Sequence, residues 1–179
     1  MAHVGKMSTS ATNSPSNSGE CQVRLASAAD ALVLAKLRYE FRASLRKVVE
    51  NEATFIERCA PWMQDRLRND TFWKCWIAEW EATAVGDVWA QLIEKIPNPM
   101  DEPEYMVYLT NFYVREEHRG KGIGSRLLSA VLDWSRSNNV QVVLLWPSEQ
   151  SKPFYLRHGF SVADDLMQMT IKGFASKSF

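Results

Sequence analysis

Three glycines, Gly120, Gly122 and Gly124, stand at alternate positions, with Arg119 ahead of them and Lys121 between the first two. Glycine lets a ligand come close to the main chain, and the two cations add full positive charge. That combination suits a phosphate or pyrophosphate when the turn opens a helix, whose first N–H groups have no partner of their own. The flanking residues supply such a setting. Residues 108–114, Tyr-Leu-Thr-Asn-Phe-Tyr-Val, are β-branched and aromatic and read as a strand. Ile123, Leu127, Leu128, Val131 and Leu132 fall on one face of a helix resting on a sheet. Two common phosphate turns do not fit. Counting from Gly120 and Gly122, Ser125 occupies the place of the third glycine of a dinucleotide fold, and no stretch supplies the Gly-x-x-x-x-Gly-Lys-Ser/Thr of a P-loop.

The turn resembles instead the acetyl-coenzyme A signature of the GNAT superfamily of N-acetyltransferases, Arg/Gln-x-x-Gly-x-Gly/Ala. It stands here as Arg119-Gly120-Lys121-Gly122-Ile123-Gly124. A second segment, residues 148–160, is similar to the superfamily's Asn-x-x-Ala-x-x-x-Tyr-x-x-x-Gly-Phe. Tyr155 falls on the tyrosine and Gly159-Phe160 on the Gly-Phe, with Ser148 and Ser151 in place of asparagine and alanine. A serine hydroxyl can still bond an amide or a phosphate. The resemblance is close over residues 108–160 and loose from Cys21 onward.

It implies an α/β (α+β) domain: a mixed, mostly antiparallel sheet with a central parallel, splayed strand pair and helices on both faces. The implied activity is acetyl transfer from acetyl-coenzyme A to a primary amine by direct attack in a ternary complex, without a metal. The implied cofactor-binding residues are Phe112, Tyr113, Val114, Arg119, Gly120, Lys121, Gly122, Ile123, Gly124, Ser125, Ser148, Ser151 and Tyr155. By the same resemblance the Phe112 N–H meets the thioester carbonyl and the Val114 N–H the pantetheine arm. Both are free only if the parallel strands splay, which a bulge in the central strand provides. Tyr155, with a hydroxyl pKa near ~10, would protonate a thiolate whose acid has a pKa of about 8.5. Tyr108 stands where some relatives carry a carboxylate, so the general base is open among Glu104, Glu94, Glu40 and a water chain. The alternatives are a non-catalytic acyl-coenzyme A-binding or sensing module, and a nucleotide-binding protein using the same turn.

The whole chain agrees with one domain. Its 179 residues allow a sizeable core, and 46% hydrophobic and 23% charged residues are ordinary for a globular protein. Zero net charge gives no bulk attraction to nucleic acid or an anionic membrane. Cys21, Cys59 and Cys75 are far apart with no Cys-x-x-Cys, which fits reduced thiols in a cytoplasmic protein. Residues 1–20 lack the apolar run of a secretory signal and read as a disordered leader before a single domain over 21–179. Met7 is a second candidate start, which would make residues 1–6 an addition. No segment reaches the ~20 apolar residues that span a bilayer. The expected acceptor is an amine-bearing small molecule or a peptide N-terminus; no nucleic acid or membrane partner is expected, and a homodimer is left open.

The elements that must position this chemistry follow from periodicity. A strand at residues 21–25 leads to a helix capped by Ser27 and Asp30, carrying Leu32, Leu34, Ala35 and Leu37 and running to about Val49. A second helix over residues 53–68 contains Pro61, expected to kink or divide it. By the resemblance these two helices wall the acceptor groove. Residues 72–79 and 84–93 read as a hairpin, and the three tryptophans clustered between residues 73 and 80, Trp73, Trp76 and Trp80, are read as sheet packing rather than an aromatic cage. Gly86 predicts a bulge or a close backbone approach. A proline-rich loop, residues 95–103, ends in Asp101, Glu102 and Glu104, either a solvated loop or a mouth for a cationic amine with Glu104 as general base. Residues 140–146 suit a buried strand parallel to the central one in a right-handed βαβ unit. A short helix at 150–157 closes on His158 and Gly159. One or two strands are expected over residues 160–171, with Met167, Met169 and Ile171 on one face and Leu166, Gln168 and Thr170 on the other.

Overall fold

The computed structural model describes residues 20–69, 72–97 and 99–171, so the expected leader lies almost wholly outside the described residues. The chain runs β1 (Cys21–Leu25), α1 (Ala31–Leu45), α2 (Glu52–Asn69), β2 (Trp73–Trp80), β3 (Thr83–Glu94), β4 (Tyr105–Val114), α3 (Ile123–Ser137), β5 (Val140–Leu144) and α4 (Lys152–Arg157). The five strands form one sheet in sequence order, antiparallel except for the parallel pair β4–β5. A parallel pair needs a crossover, and α3 supplies it. This is the mixed sheet expected, with helices on both faces.

Each face has its own core. Ile123, Leu127, Leu128 and Val131 of α3 pack on Trp76, Val85, Val88, Val107 and Leu109 of the sheet. On the other face Ala31, Leu34 and Ala35 of α1 and Met63 of α2 meet Cys75, Ile77 and Trp89. Two arginines pin α1 in place. Arg24 on β1 donates to Asp30 (2.7 and 2.9 Å) and to Glu79 on β2 (2.7 and 3.2 Å). These bonds, led by Arg24, hold the Asp30 carboxyl down at a pKa of about 2. Arg115, just beyond β4, grips Glu40 of α1 with two nitrogens at 2.7 and 2.8 Å.

Several expectations shift in detail. The Ser27–Asp30 cap forms, with the Ser27 N–H donating to Asp30 Oδ2 at 2.7 Å, but α1 ends at Leu45 rather than near Val49. Pro61 lies inside α2 without dividing it, at the cost of the helical hydrogen bond its missing N–H would make. The β2–β3 hairpin turns on Glu81 and Ala82, at φ 49° and 61°. Paired positive φ values let a two-residue turn follow the strand twist, yet neither residue is one that favours them. Gly86 is the close approach predicted: a Cβ there would lie 2.7 Å from the Tyr113 carbonyl oxygen. Residues 161–171 form no strand, and Met167, Met169 and Ile171 are 95%, 82% and 83% exposed. Their alternation offers an apolar face, but few of these residues are β-branched or aromatic and no neighbouring strand takes up their backbone. No helix among the described residues is long and apolar enough to cross a membrane.

Candidate active site

Everything of chemical interest converges on the second half of β4. The β4–β5 ladder runs from Tyr105↔Val140 to Tyr108↔Leu144 and stops, leaving residues 109–114 unpaired on that side. On the β3 side the register passes from Trp89↔Thr110 to Asp87↔Tyr113. There β3 contributes one residue, Val88, against two from β4, Asn111 and Phe112. This is a β-bulge, and Asn111 takes a left-handed φ of 48° within it. Asparagine tolerates that conformation better than a β-branched or bulky residue would. The strands therefore part where the bulge lies.

Beyond β4 the chain turns into α3 through Gly120 and Gly122, at φ 75° and 77°. A Cβ at either would meet nothing within 4 Å, so the turn faces open space. Gly122 is the N-cap of α3, and the first turn of that helix carries no acidic side chain. The free N–H groups and the positive end of the helix dipole are thus left for an outside anion. Val114, Arg119, Gly120, Gly122, Ile123, Gly124 and Ser125 line a cavity of about 380 Å³ there, joined by His118, Phe154 and Arg157. Arg119 closes the turn by donating from Nε to the Val114 carbonyl at 3.0 Å.

The short helix α4 forms the cavity's far wall. His158 ties it to α3: Nδ1 sits 2.8 Å from the Phe154 carbonyl and Nε2 3.0 Å from Ser125 Oγ. A carbonyl only accepts, so in the neutral ring the proton is on Nδ1 and the serine hydroxyl donates to Nε2. Tyr155 is 8% exposed, and burial pushes its hydroxyl pKa well above the usual tyrosine value. Its ring lies 6.1 Å from that of Phe112, centroid to centroid, against the parted end of β4.

A second cavity, of about 240 Å³, opens on the α1–α2 face of the same strand. Thr110 and Asn111 of β4 line it, with Arg38, Cys59, Trp62, Trp73 and Trp89 from four other elements. Behind it lies Asp87, fully buried, with Oδ2 accepting from Asn111 Nδ2 at 2.5 Å. Asn111 Oδ1 accepts in turn from Arg38 Nη1 at 2.9 Å. Burial raises the Asp87 carboxyl well above its ordinary pKa, although Asn111 and Arg38 pull the other way. The indole N–H of Trp89 also favours the carboxylate, without making a hydrogen bond of ordinary geometry.

The sequence over residues 37–160 matches the model of the Acetyltransferase (GNAT) family, which spans well over half of the chain. The chain belongs to the GNAT acetyltransferase family. Acetyl transfer from acetyl-coenzyme A is therefore its class of chemistry. Among solved structures it is similar to a predicted acetyltransferase from Clostridium acetobutylicum with acetyl-CoA, at 20% identity and a TM-score of 0.71, covering 85% of this chain and 97% of that one. A GCN5-related N-acetyltransferase from Ralstonia eutropha JMP134 is also 20% identical, at a TM-score of 0.70, with 86% and 100% covered. Glucosamine-6-phosphate N-acetyltransferase from Arabidopsis thaliana follows the same fold at 16% identity and a TM-score of 0.63, over 86% and 99%. No curated protein sequence matches it.

Not every residue singled out from the sequence joins this GNAT site. Lys121 turns away from the cavity and stacks its ammonium over Trp80, 4.9 Å from the ring centroid. Tyr113 packs its ring against Phe41 of α1, at 5.4 Å. Ser148 and Ser151 spend their hydroxyls on each other at 3.0 Å, at the start of α4. Glu104 precedes β4 and lies eight residues from Phe112, roughly 25 Å of strand at ~3.3 Å per residue. Glu94 is paired with Tyr105 at the same far end, and Glu40 is held by Arg115. The tryptophans pack on the sheet as expected, Trp76 and Trp80 in one core and Trp73 against the other, and Trp73 also lines the second cavity with Trp62 and Trp89. Arg157, Arg38, Asp87 and Asn111 escaped the sequence reading. Two signals among them were legible: Asp87 beside Gly86 inside a largely apolar strand, and Asn111 inside another.

Proposed function

We propose that the protein moves an acetyl group from acetyl-coenzyme A to a primary amine by direct attack, both substrates being bound together. The observation that carries this is a juxtaposition: after Tyr108 the β5 side of β4 is unpaired, and the chain then leads through residues 115–122 to a helix whose first turn holds no acid. The pyrophosphate belongs over the amides of residues 120–125, with Arg119 and Arg157 as counter-ions. The Val114 N–H holds the pantetheine arm, and the Phe112 N–H takes the thioester carbonyl oxygen. An N–H aimed at developing oxyanion charge is worth about 3 kcal/mol.

The neutral amine enters from the α1–α2 face. Its nitrogen bonds the acyl carbon, the C–S bond breaks, and the surplus amine proton leaves to solvent. Tyr155 stands by as hydrogen-bond donor to the departing sulfur. Its raised pKa changes the role expected from sequence. Full transfer of its proton to a thiolate of pKa about 8.5 is uphill, so the hydroxyl stabilises the leaving group chiefly by donating a hydrogen bond. The test is release of coenzyme A thiol from acetyl-coenzyme A across a panel of amines. Release that depends on added amine supports transfer; tight coenzyme A binding with no amine-dependent release would mean a binding module instead.

A further inference from the structure

The second cavity narrows the acceptor, on the premise that this chain is the acetyltransferase proposed above. Three indoles form one wall: Trp62 and Trp73 are 5.4 Å apart between centroids, Trp62 and Trp89 5.9 Å, and Trp73 and Trp89 6.1 Å. Alone, such a wall suits either a flat apolar body or a cation. Arg38 decides between them. Its guanidinium is half-buried, and the hydrogen bond to Asn111 engages one of its five N–H donors. Among the described residues no carboxylate forms an ion pair with it. Asp87 attracts it electrostatically but is bridged to it by Asn111 rather than paired with it, and burial holds that carboxyl toward its neutral form.

An unpaired guanidinium in an aromatic pocket calls for an anion, and its fork matches a carboxylate. A cationic ligand body would meet that charge in desolvated surroundings, where repulsion outweighs the attraction of a ring face. The same charge favours the neutral form of a nearby amine, which is the form that attacks. A volume of about 240 Å³ holds one small molecule or one side chain, not a folded surface.

We propose that the acceptor is a small amino acid-like amine with a free carboxylate and an aromatic or large apolar body. The carboxylate sits on Arg38, the body lies against Trp62, Trp73 and Trp89, and the amine lies beside the bulge at Asn111.

The test compares phenylalanine with phenethylamine, and tryptophan with tryptamine, each pair sharing ring and amine but not the carboxylate. Wild-type kcat/KM should favour the carboxylated member at least ~10-fold. Arg38→Met should erase that preference, mainly through KM, while calorimetric coenzyme A affinity stays within about 2-fold. Should Arg38→Met fail to fold, the wild-type ratios still decide, together with alkylation of the half-buried Cys59 that lines the cavity. Phenylalanine should slow that alkylation without acetyl-coenzyme A present, and phenethylamine should not. Equal or better turnover of the decarboxylated amines would overturn the proposal, as would a preference that survives Arg38→Met. So would thiol release with other amines while both pairs stay inert, a result that leaves the acetyltransferase reading standing. Failure of coenzyme A to bind would instead remove the underlying reading, with Cys59 protection still reporting on the carboxylate.

Discussion

The two cavities share β4 but are made of different materials. On the α3 side the wall is built around main chain: Gly120 and the run from Gly122 to Ser125 line it, and a Cβ at Gly120 or Gly122 would meet nothing within 4 Å. On the α1–α2 side the walls are side chains, drawn from five elements scattered between Arg38 and Asn111. The first can grip any ligand that carries the right anion, because backbone donors do not vary. The second changes character with each substitution. One protein thus pairs a fixed grip for a common donor with an adjustable one for its acceptor, the two meeting β4 at Val114 and at Asn111.

That division fails if the main-chain end tolerates side-chain change. Gly122→Asp is the sharpest challenge, since it adds a Cβ at a φ of 77° and a negative charge beside the free N–H groups. Backbone strain and repulsion together should lower coenzyme A affinity at least ~100-fold by calorimetry on the folded variant. Unchanged affinity would mean the anion sits elsewhere.

Tyr155 tests the shared reaction centre. Tyr155→Phe keeps the ring packing, so kcat should fall about 10-fold or more where chemistry limits the rate, with coenzyme A binding retained. Only the protonated hydroxyl can donate. Because burial raises its pKa above the ordinary ~10, wild-type kcat should show no falling limb attributable to it below pH 10. A fall centred lower would transfer the role to another group.

Asp87 distinguishes the two ends by pH. A carboxyl raised in the folded state adds stability that is fully present below its unfolded pKa of about 3.9 and is lost as pH rises through the folded value. Asp87→Asn keeps the shape and cannot ionise, so its urea midpoint should gain on wild type between pH 4 and pH 8. A constant difference between the two would show that Asp87 does not titrate in that window. The smallest effect is expected from neutralising Asp101, Glu102 and Glu104 together. These lie at the far end of β4, beyond a Debye length of about 10 Å at 0.1 M salt, so the KM for amine should move less than about 2-fold. A larger change, with salt dependence, would restore the acidic loop as an entrance.

The same division explains what could be read from sequence. The glycine turn was legible because its parts are contiguous and act through backbone, and the strand before it and helix after it have clean periodicities. The acceptor pocket was not, because Arg38, Trp62, Trp73 and Trp89 meet only after the sheet order brings α1, α2, β2 and β3 beside β4. Asn111 could have been suspected, as an asparagine inside an apolar strand is a common carrier of positive φ. Glu81 and Ala82 could not, since a tight turn is normally announced by glycine or asparagine. The strands expected after Phe160 failed for a related reason: alternation describes a face, but a ladder also needs a neighbour.

The bulge has a bearing on how such an enzyme could be retargeted. Asn111 is held by a backbone conformation that few residues accept, and it also bridges Asp87 and Arg38. Most replacements there would disturb strand geometry before they altered selectivity. Arg38, Cys59, Trp62 and Trp73 sit on regular helix or strand backbone and carry no such double duty. A combinatorial library seeking new acceptors is therefore best confined to those four positions, with Asn111 and Asp87 left as an invariant floor.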